Sequence, residues 1–171
     1  MRKYLIDTNI FIESSNRHYA IDICPGFWEF LDRVSDLENV KSITQVYDEF
    51  TPDNEELVNF KERLKNKGFF LQIENITPES YSATTISLQK EGYNKQAIDN
   101  FSQKADYFLI ALALQEQYTI VTQEARMQTI PPNAPKPKRI KIPNVCEQLE
   151  IECIDIIEFL RRERAIFVLR E

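Results

Sequence analysis

The chain has 171 residues, 43% hydrophobic and 28% charged, which suits one soluble globular domain spanning 1–171 with a sizeable core. Three glycines and no G-x-G-x-x-G or Walker-type run exclude a glycine-rich phosphate cradle, and a net charge of −6 argues against a non-specific nucleic-acid coat. Cys24, Cys146 and Cys153 are widely spaced without a C-x-x-C pair, and His18 is the single histidine. Reduced thiols in a cytoplasmic protein, rather than structural zinc, are the plain reading.

Tyr4-Leu5-Ile6 reads as a buried strand that stops at Asp7, with a short helix opening at Thr8 or Asn9. Asp7 and Asn9 interrupt the apolar run too early for a signal peptide. Pro25-Gly26 begins a second helix, whose Phe27, Phe30, Leu31 and Val34 share one apolar face. Trp28 reads as core or rim packing rather than a base-stacking platform. Val40–Ile43 leads as an extended segment into a helix carrying Glu49, which Pro52 stops. Asp53-x-x-Glu56 resembles a capping box for the next helix, closed by Gly68.

Phe69–Ile73 reads as a strand, and Thr77-Pro78-Glu79 opens a helix to about Lys90. A short helix at Asn94–Phe101 precedes the most apolar one, from Ser102 or Gln103 through Leu114, far short of a membrane span of roughly 20 residues. Tyr118–Thr122 is a buried strand rich in β-branched residues. Between Ala125 and Cys146 lie Arg126, Lys136, Lys138, Arg139 and Lys141 without an acid, interleaved with Pro131, Pro132, Pro135 and Pro137. That stretch is either a basic guide for a phosphate backbone or a solvated proline-rich loop. Arg139–Ile142 is a further expected strand, Pro143–Leu149 a short helix, Cys153-Ile154 a strand and Asp155–Arg164 a last amphipathic helix. Ala165–Leu169 is apolar enough to pack against this chain or another. Strands alternating with helices imply an α/β sandwich with a mainly parallel sheet.

Four segments end an apolar run with a carboxylate: Asp7, Glu49, Asp106 and Glu124. Ligands of open parallel sheets bind beyond the carboxyl ends of strands, where Asp7 and Glu124 fall. Asp106 lies near a helix start, where the macrodipole favours an anion, whereas Glu49 lies late in its helix, where it does not. Taken singly, each acid has a local use: Asp7 as an N-cap, Asp106 as a first-turn charge, Glu49 and Glu124 as surface acids. Together they make a cage of hard oxygen donors suited to Mg²⁺ or Mn²⁺ against a phosphodiester, with Thr8, Asn9 and Thr122 placed to orient waters or phosphate oxygens. No Ser-His or Cys-His nucleophile signature competes with that reading.

Ile6-Asp7-Thr8-Asn9, a helical acid, Ala105-Asp106 with Ile110-Ala111, and Val121-Thr122-x-Glu124 together resemble the PIN-domain nucleases over nearly the whole chain. The resemblance implies a three-layer sandwich with a central, mainly parallel sheet and a metal-dependent endoribonuclease activity. It places the family's acids on Asp7, Glu49 (with Asp48 the weaker choice), Asp106 and Glu124, and its accompanying asparagine on Asn9. Glu124 stands where the family more often has aspartate, which lengthens that arm by one methylene. Cys24-Pro25-Gly26-Phe27-Trp28 and Lys141-Ile142-Pro143-Asn144-Val145-Cys146 resemble one PIN-like subfamily, often encoded beside a zinc-metallopeptidase-like antitoxin.

The expected protein is thus a Mg²⁺- or Mn²⁺-dependent ribonuclease, the toxin of a toxin–antitoxin pair, acting on single-stranded RNA. Its expected partners are an antitoxin or a second copy of itself, and no membrane. The alternative is a catalytically weak regulatory module that binds RNA or protein. An Asp-nucleophile phosphatase ranks lower, because Asn9 stands where that chemistry wants a second acid.

Overall fold

The computed structural model describes residues 2–128 and 139–168. Lys136, Lys138, the four prolines of the basic strip and Leu169 lie outside the described residues.

Strand β1 (Tyr4–Ile6) is buried along its whole length. Three consecutive apolar side chains, pointing alternately to opposite faces, require a strand covered on both sides. Helix α1 (Thr8–Glu13) follows at once and runs into a π-helical turn at Ser14–His18. Helix α2 (Pro25–Val34) buries Phe27, Phe30, Leu31 and Val34 as its period dictates. Trp28 joins them in the core, and its indole N–H donates to the Tyr19 carbonyl at 2.6 Å.

Strand β2 (Val40–Ile43) passes directly into α3 (Thr44–Glu49). The next helix, α4 (Glu55–Asn66), is capped one residue later than the capping-box pattern suggests. Asn54, not Asp53, is the cap, with an extended backbone, and its Oδ1 accepts from the N–H groups of Glu56 (2.8 Å) and Leu57 (3.3 Å). Gly68 then turns the chain at φ +66°, a conformation that favours glycine.

Strand β3 (Phe70–Leu71), α5 (Pro78–Lys90) and α6 (Lys95–Phe101) follow, the two helices capped by Thr77 and Asn94. Helix α7 (Ala105–Glu116) buries Leu109–Ala113 without a break, since it is covered by the sheet on one side and by other helices on the other. Strand β4 (Thr119–Val121), α8 (Ile142–Gln148), β5 (Cys153–Ile154) and α9 (Ile156–Arg162) complete the order.

The expected strand at Arg139–Ile142 does not form. Ile140 and Ile142 are buried, as an alternating strand would bury them. The Ile142 N–H, however, goes to the Glu124 side chain instead of a neighbouring strand, and Pro143 sits in the first turn of α8.

The five strands form one sheet in the order β3-β2-β1-β4-β5, every pairing parallel, with helices on both faces. The architecture is the expected α/β three-layer sandwich. The chain winds outward from β1 through β2 to β3, then crosses back to place β4 on the other side of β1. That reversal puts the topological switch point at the carboxyl ends of β1 and β4, where such sheets open a crevice. Aromatic pairs lock the layers: Tyr4 meets Phe159 edge-on at 5.0 Å, and Trp28 meets Phe60 at 5.2 Å. Among the described residues, no helix is long and apolar enough to cross a membrane.

Candidate active site

Asp7 is the first residue beyond β1, and its N–H donates to the Val121 carbonyl of β4 at 3.0 Å. It occupies the cap position of α1 yet makes no side-chain capping bond there. Its carboxylate, 2% exposed, instead accepts from Thr122 Oγ1 at 2.7 Å. A hydroxyl has one hydrogen, so with that hydrogen on Asp7 the Thr122 oxygen is left to accept. It does so from Asn9 Nδ2 (3.0 Å) and from the Glu124 N–H (3.1 Å). Asn9 Oδ1 accepts from the Gln123 N–H at 2.9 Å. Both ends of the Asn9 amide therefore staple α1 to the chain leaving β4, and the asparagine fixes the site's frame rather than reaching into it.

Glu49 closes α3 and reaches across to two other elements. Its Oε2 accepts from Thr8 Oγ1 at 2.8 Å and its Oε1 from the Ala105 N–H, the start of α7, at 3.3 Å. The positive end of the α7 dipole thus offsets the poor placement of an acid at the end of α3. Asp48, the weaker choice for that position, lies in the field of Lys61 and Lys65 instead.

Asp106 sits in the first turn of α7. Burial first, then the charges of Glu124 and Glu49, push its carboxyl up to about 6, against the opposing pull of Lys104. Burial and then the Asp106 charge push Asp7 up to about 8, with Glu124 adding to the rise and the Thr122 hydrogen bond resisting it. Asp7 thus feels Asp106 and Glu124, and Asp106 feels Glu124 and Glu49. The fold brings all four acids into one electrostatic neighbourhood at the switch point.

Glu124 has partners that sequence reading did not anticipate. Its side chain is only 10% exposed; Oε1 accepts from Lys141 Nζ at 2.7 Å and Oε2 from the Ile142 N–H at 2.9 Å. The added methylene of glutamate lets it cap α8. Asn144 grips the same outgoing segment, accepting from the Met127 N–H at 3.0 Å and donating to its carbonyl at 3.3 Å. Arg126 pairs with Glu147. Of the basic strip, Arg126 and Lys141 are therefore engaged with acids of the chain itself. The Lys-Ile-Pro-Asn run was the available signal, since a lysine and a helix start together invite a carboxylate.

Glu124 and Glu49 line separate hollows, one of about 390 Å³ with Thr122, Arg126 and Pro143 and one of about 440 Å³ with Ile12, Asn16 and Pro52, and neither is lined by Asp7 or Asp106. A larger hollow of about 730 Å³, between the start of α2 and Ile166–Val168, touches none of the four acids.

The donor set suits a hard divalent cation. The ionised forms of Asp7 and Asp106 are penalised by burial and by neighbouring acids, Asp106 and Glu124 acting on Asp7 and Glu124 and Glu49 on Asp106, which a cation would relieve. Among the described residues, no three acidic, histidine or cysteine side chains are gathered tightly enough to grip one ion as they stand.

A family model described as a domain of unknown function, DUF4411, matches residues 4–167. Comparison with curated proteins and with solved structures gives no match. The family match takes in the five described strands and all four acids, and the chain belongs to the DUF4411 family.

Proposed function

We propose that this protein is a Mg²⁺- or Mn²⁺-dependent endoribonuclease of PIN-like type. The observation that carries the reading is buried Asp7 beside half-buried Asp106, sharing one field with Glu49 and Glu124 at the switch point of a parallel sheet. Asp7, Glu49 and Asp106 would hold the cation, with Glu124 beside them. The bound ion would supply Lewis-acid activation of water and of the scissile phosphate.

The chain's own residues supply placement. The Thr122 hydroxyl holds Asp7 by its Oδ2. Thr8 holds Glu49, and Asn9 ties α1 to the β4 exit so that Asp7 and Glu124 keep their spacing. Hydrolysis by water in this arrangement leaves 5′-phosphate and 3′-hydroxyl ends. The toxin role and its antitoxin partner follow from the subfamily resemblance of the Cys24–Trp28 and Lys141–Cys146 runs.

The test is cleavage of single-stranded RNA by the purified chain with Mn²⁺. Activity should vanish in EDTA and in Asp7→Asn and Asp106→Asn. Equal cleavage by both folded variants refutes the assignment. One observation favours the second reading, a catalytically weak binding module: both oxygens of Glu124 and both of Glu49 are already engaged within the chain. RNA binding without metal-dependent cleavage would select it.

A further inference from the structure

We infer that Cys146 and Cys153 are a paired oxidation site, at which a small hydroperoxide is reduced and the two thiols close into a disulfide. The inference is independent of the metal-nuclease reading. Cys146 lies in α8 and Cys153 in β5. Between them Glu150 adopts φ +56° and the Ile151 N–H donates to the Cys146 carbonyl at 2.9 Å, which folds the chain back on itself. Strand β5 then pairs in parallel with β4, Cys153 beside Ile120. That return brings the two thiols into a shared hydrogen bond. All three cysteines are free thiols in the structure.

The two thiols have different parts. Cys153 is half-buried and lines the hollow of about 390 Å³ with Glu147 and Ile151, so a small oxidant reaches it. Cys146 is fully buried; its hydrogen bond with Cys153, then burial, push its thiol up and keep it protonated. Access decides which sulfur is oxidised first. Cys153 Sγ attacks the peroxide and the O–O bond breaks. The near oxygen stays on sulfur as a sulfenic acid, and the thiol proton leaves with the far oxygen as water or alcohol. Cys146 Sγ then attacks Cys153 Sγ, and the sulfenic hydroxyl leaves as water with the Cys146 proton. Two electrons pass from the thiol pair to the peroxide. The bond ties α8, whose first turn Glu124 caps, to the strand at one end of the sheet order. Cys24 is the internal control: it is also half-buried and lines the larger hollow, but no second cysteine lines it.

The test treats the reduced, folded chain with a small excess of hydrogen peroxide, alkylates the remaining thiols in urea and reads intact mass and a peptide map. Wild type should lose two of its three free thiols. Cys24 should be alkylated and Cys146 and Cys153 joined in one chain, with dithiothreitol restoring both. Under the same dose Cys153→Ser should keep its two remaining thiols. Cys146→Ser, or Cys146→Ala if the serine variant does not fold, should stop at a sulfenic acid on Cys153 that dimedone traps. Three alkylated thiols in peroxide-treated wild type would overturn the inference. So would oxidation of Cys24 ahead of the pair, a disulfide joining two chains, or oxidation of Cys153 beyond the sulfenic acid with Cys146 still alkylated.

Discussion

Replacing Asp7 with asparagine removes a titratable group from a residue 2% exposed without changing its shape. The Thr122 hydroxyl keeps an oxygen to donate to. In the folded protein the Asp7 carboxyl is pushed up to about 8 by burial and by Asp106, whereas in an unfolded chain it titrates near ~3.9. A folded value above the unfolded one means that folding takes up a proton. The stability tied to this group is complete below the unfolded value and is lost as pH rises through about 8. At neutral pH the cost of keeping Asp7 uncharged spans about three pH units, or about 4 kcal/mol as an upper bound at ~1.4 kcal/mol per unit.

Asparagine escapes that cost. Without metal at neutral pH, Asp7→Asn should therefore be more stable than wild type by about 2–4 kcal/mol, a rise in Tm of roughly 5–15 °C for a chain of this size. The advantage should shrink to nothing near pH 4, at the unfolded value of ~3.9. Thermal melts of both proteins in EDTA across that range read it directly. An asparagine variant no more stable than wild type at neutral pH would refute the picture of a buried carboxylate awaiting a cation.

Mn²⁺ should stabilise wild type by linkage, by about 2.7 kcal/mol at a hundredfold excess over Kd, raising its Tm, and leave Asp7→Asn unmoved in the same melts. Because Asp7 and Asp106 titrate at about 8 and about 6 and a cation needs them ionised, Mn²⁺ affinity should rise with pH through this window. Calorimetry in buffers of different ionisation enthalpy should show protons released. Glu49→Ala should lower stability by about 1 kcal/mol through loss of the α7 cap, in addition to its effect on cleavage, whereas Glu49→Gln should retain most of that stability in urea melts. Asn144→Ala should loosen the Met127 clamp and cost about 1–2 kcal/mol in the same assay.

The fold was legible where local chemistry decides it. Tyr4–Ile6 and Thr119–Val121 announce themselves because a central parallel strand is covered on both faces and cannot alternate. Asp7 and Thr122 then mark their ends, and the switch point brings them together. What stayed hidden were contacts between residues far apart in the chain. Glu49 capping α7 and Glu124 capping α8 are carboxylates serving another element's helix start, and nothing in their own neighbourhoods marks them. Arg139–Ile142 misled for a related reason: Ile140 and Ile142 are buried at strand spacing, but the Ile142 donor is satisfied by a side chain. Asn54 displaced Asp53 by one position, since either side chain can cap and backbone geometry decides between them. The π-helical turn at Ser14–His18 has no sequence signal that we can name.

Anomalous scattering from a crystal soaked in Mn²⁺ locates the ion directly. A peak is expected between the carboxylates of Asp7, Glu49 and Asp106, with Lys141 still on Glu124. A Mn²⁺ peak elsewhere on the surface, with the crevice between β1 and β4 unvisited, would contradict the metal-nuclease reading.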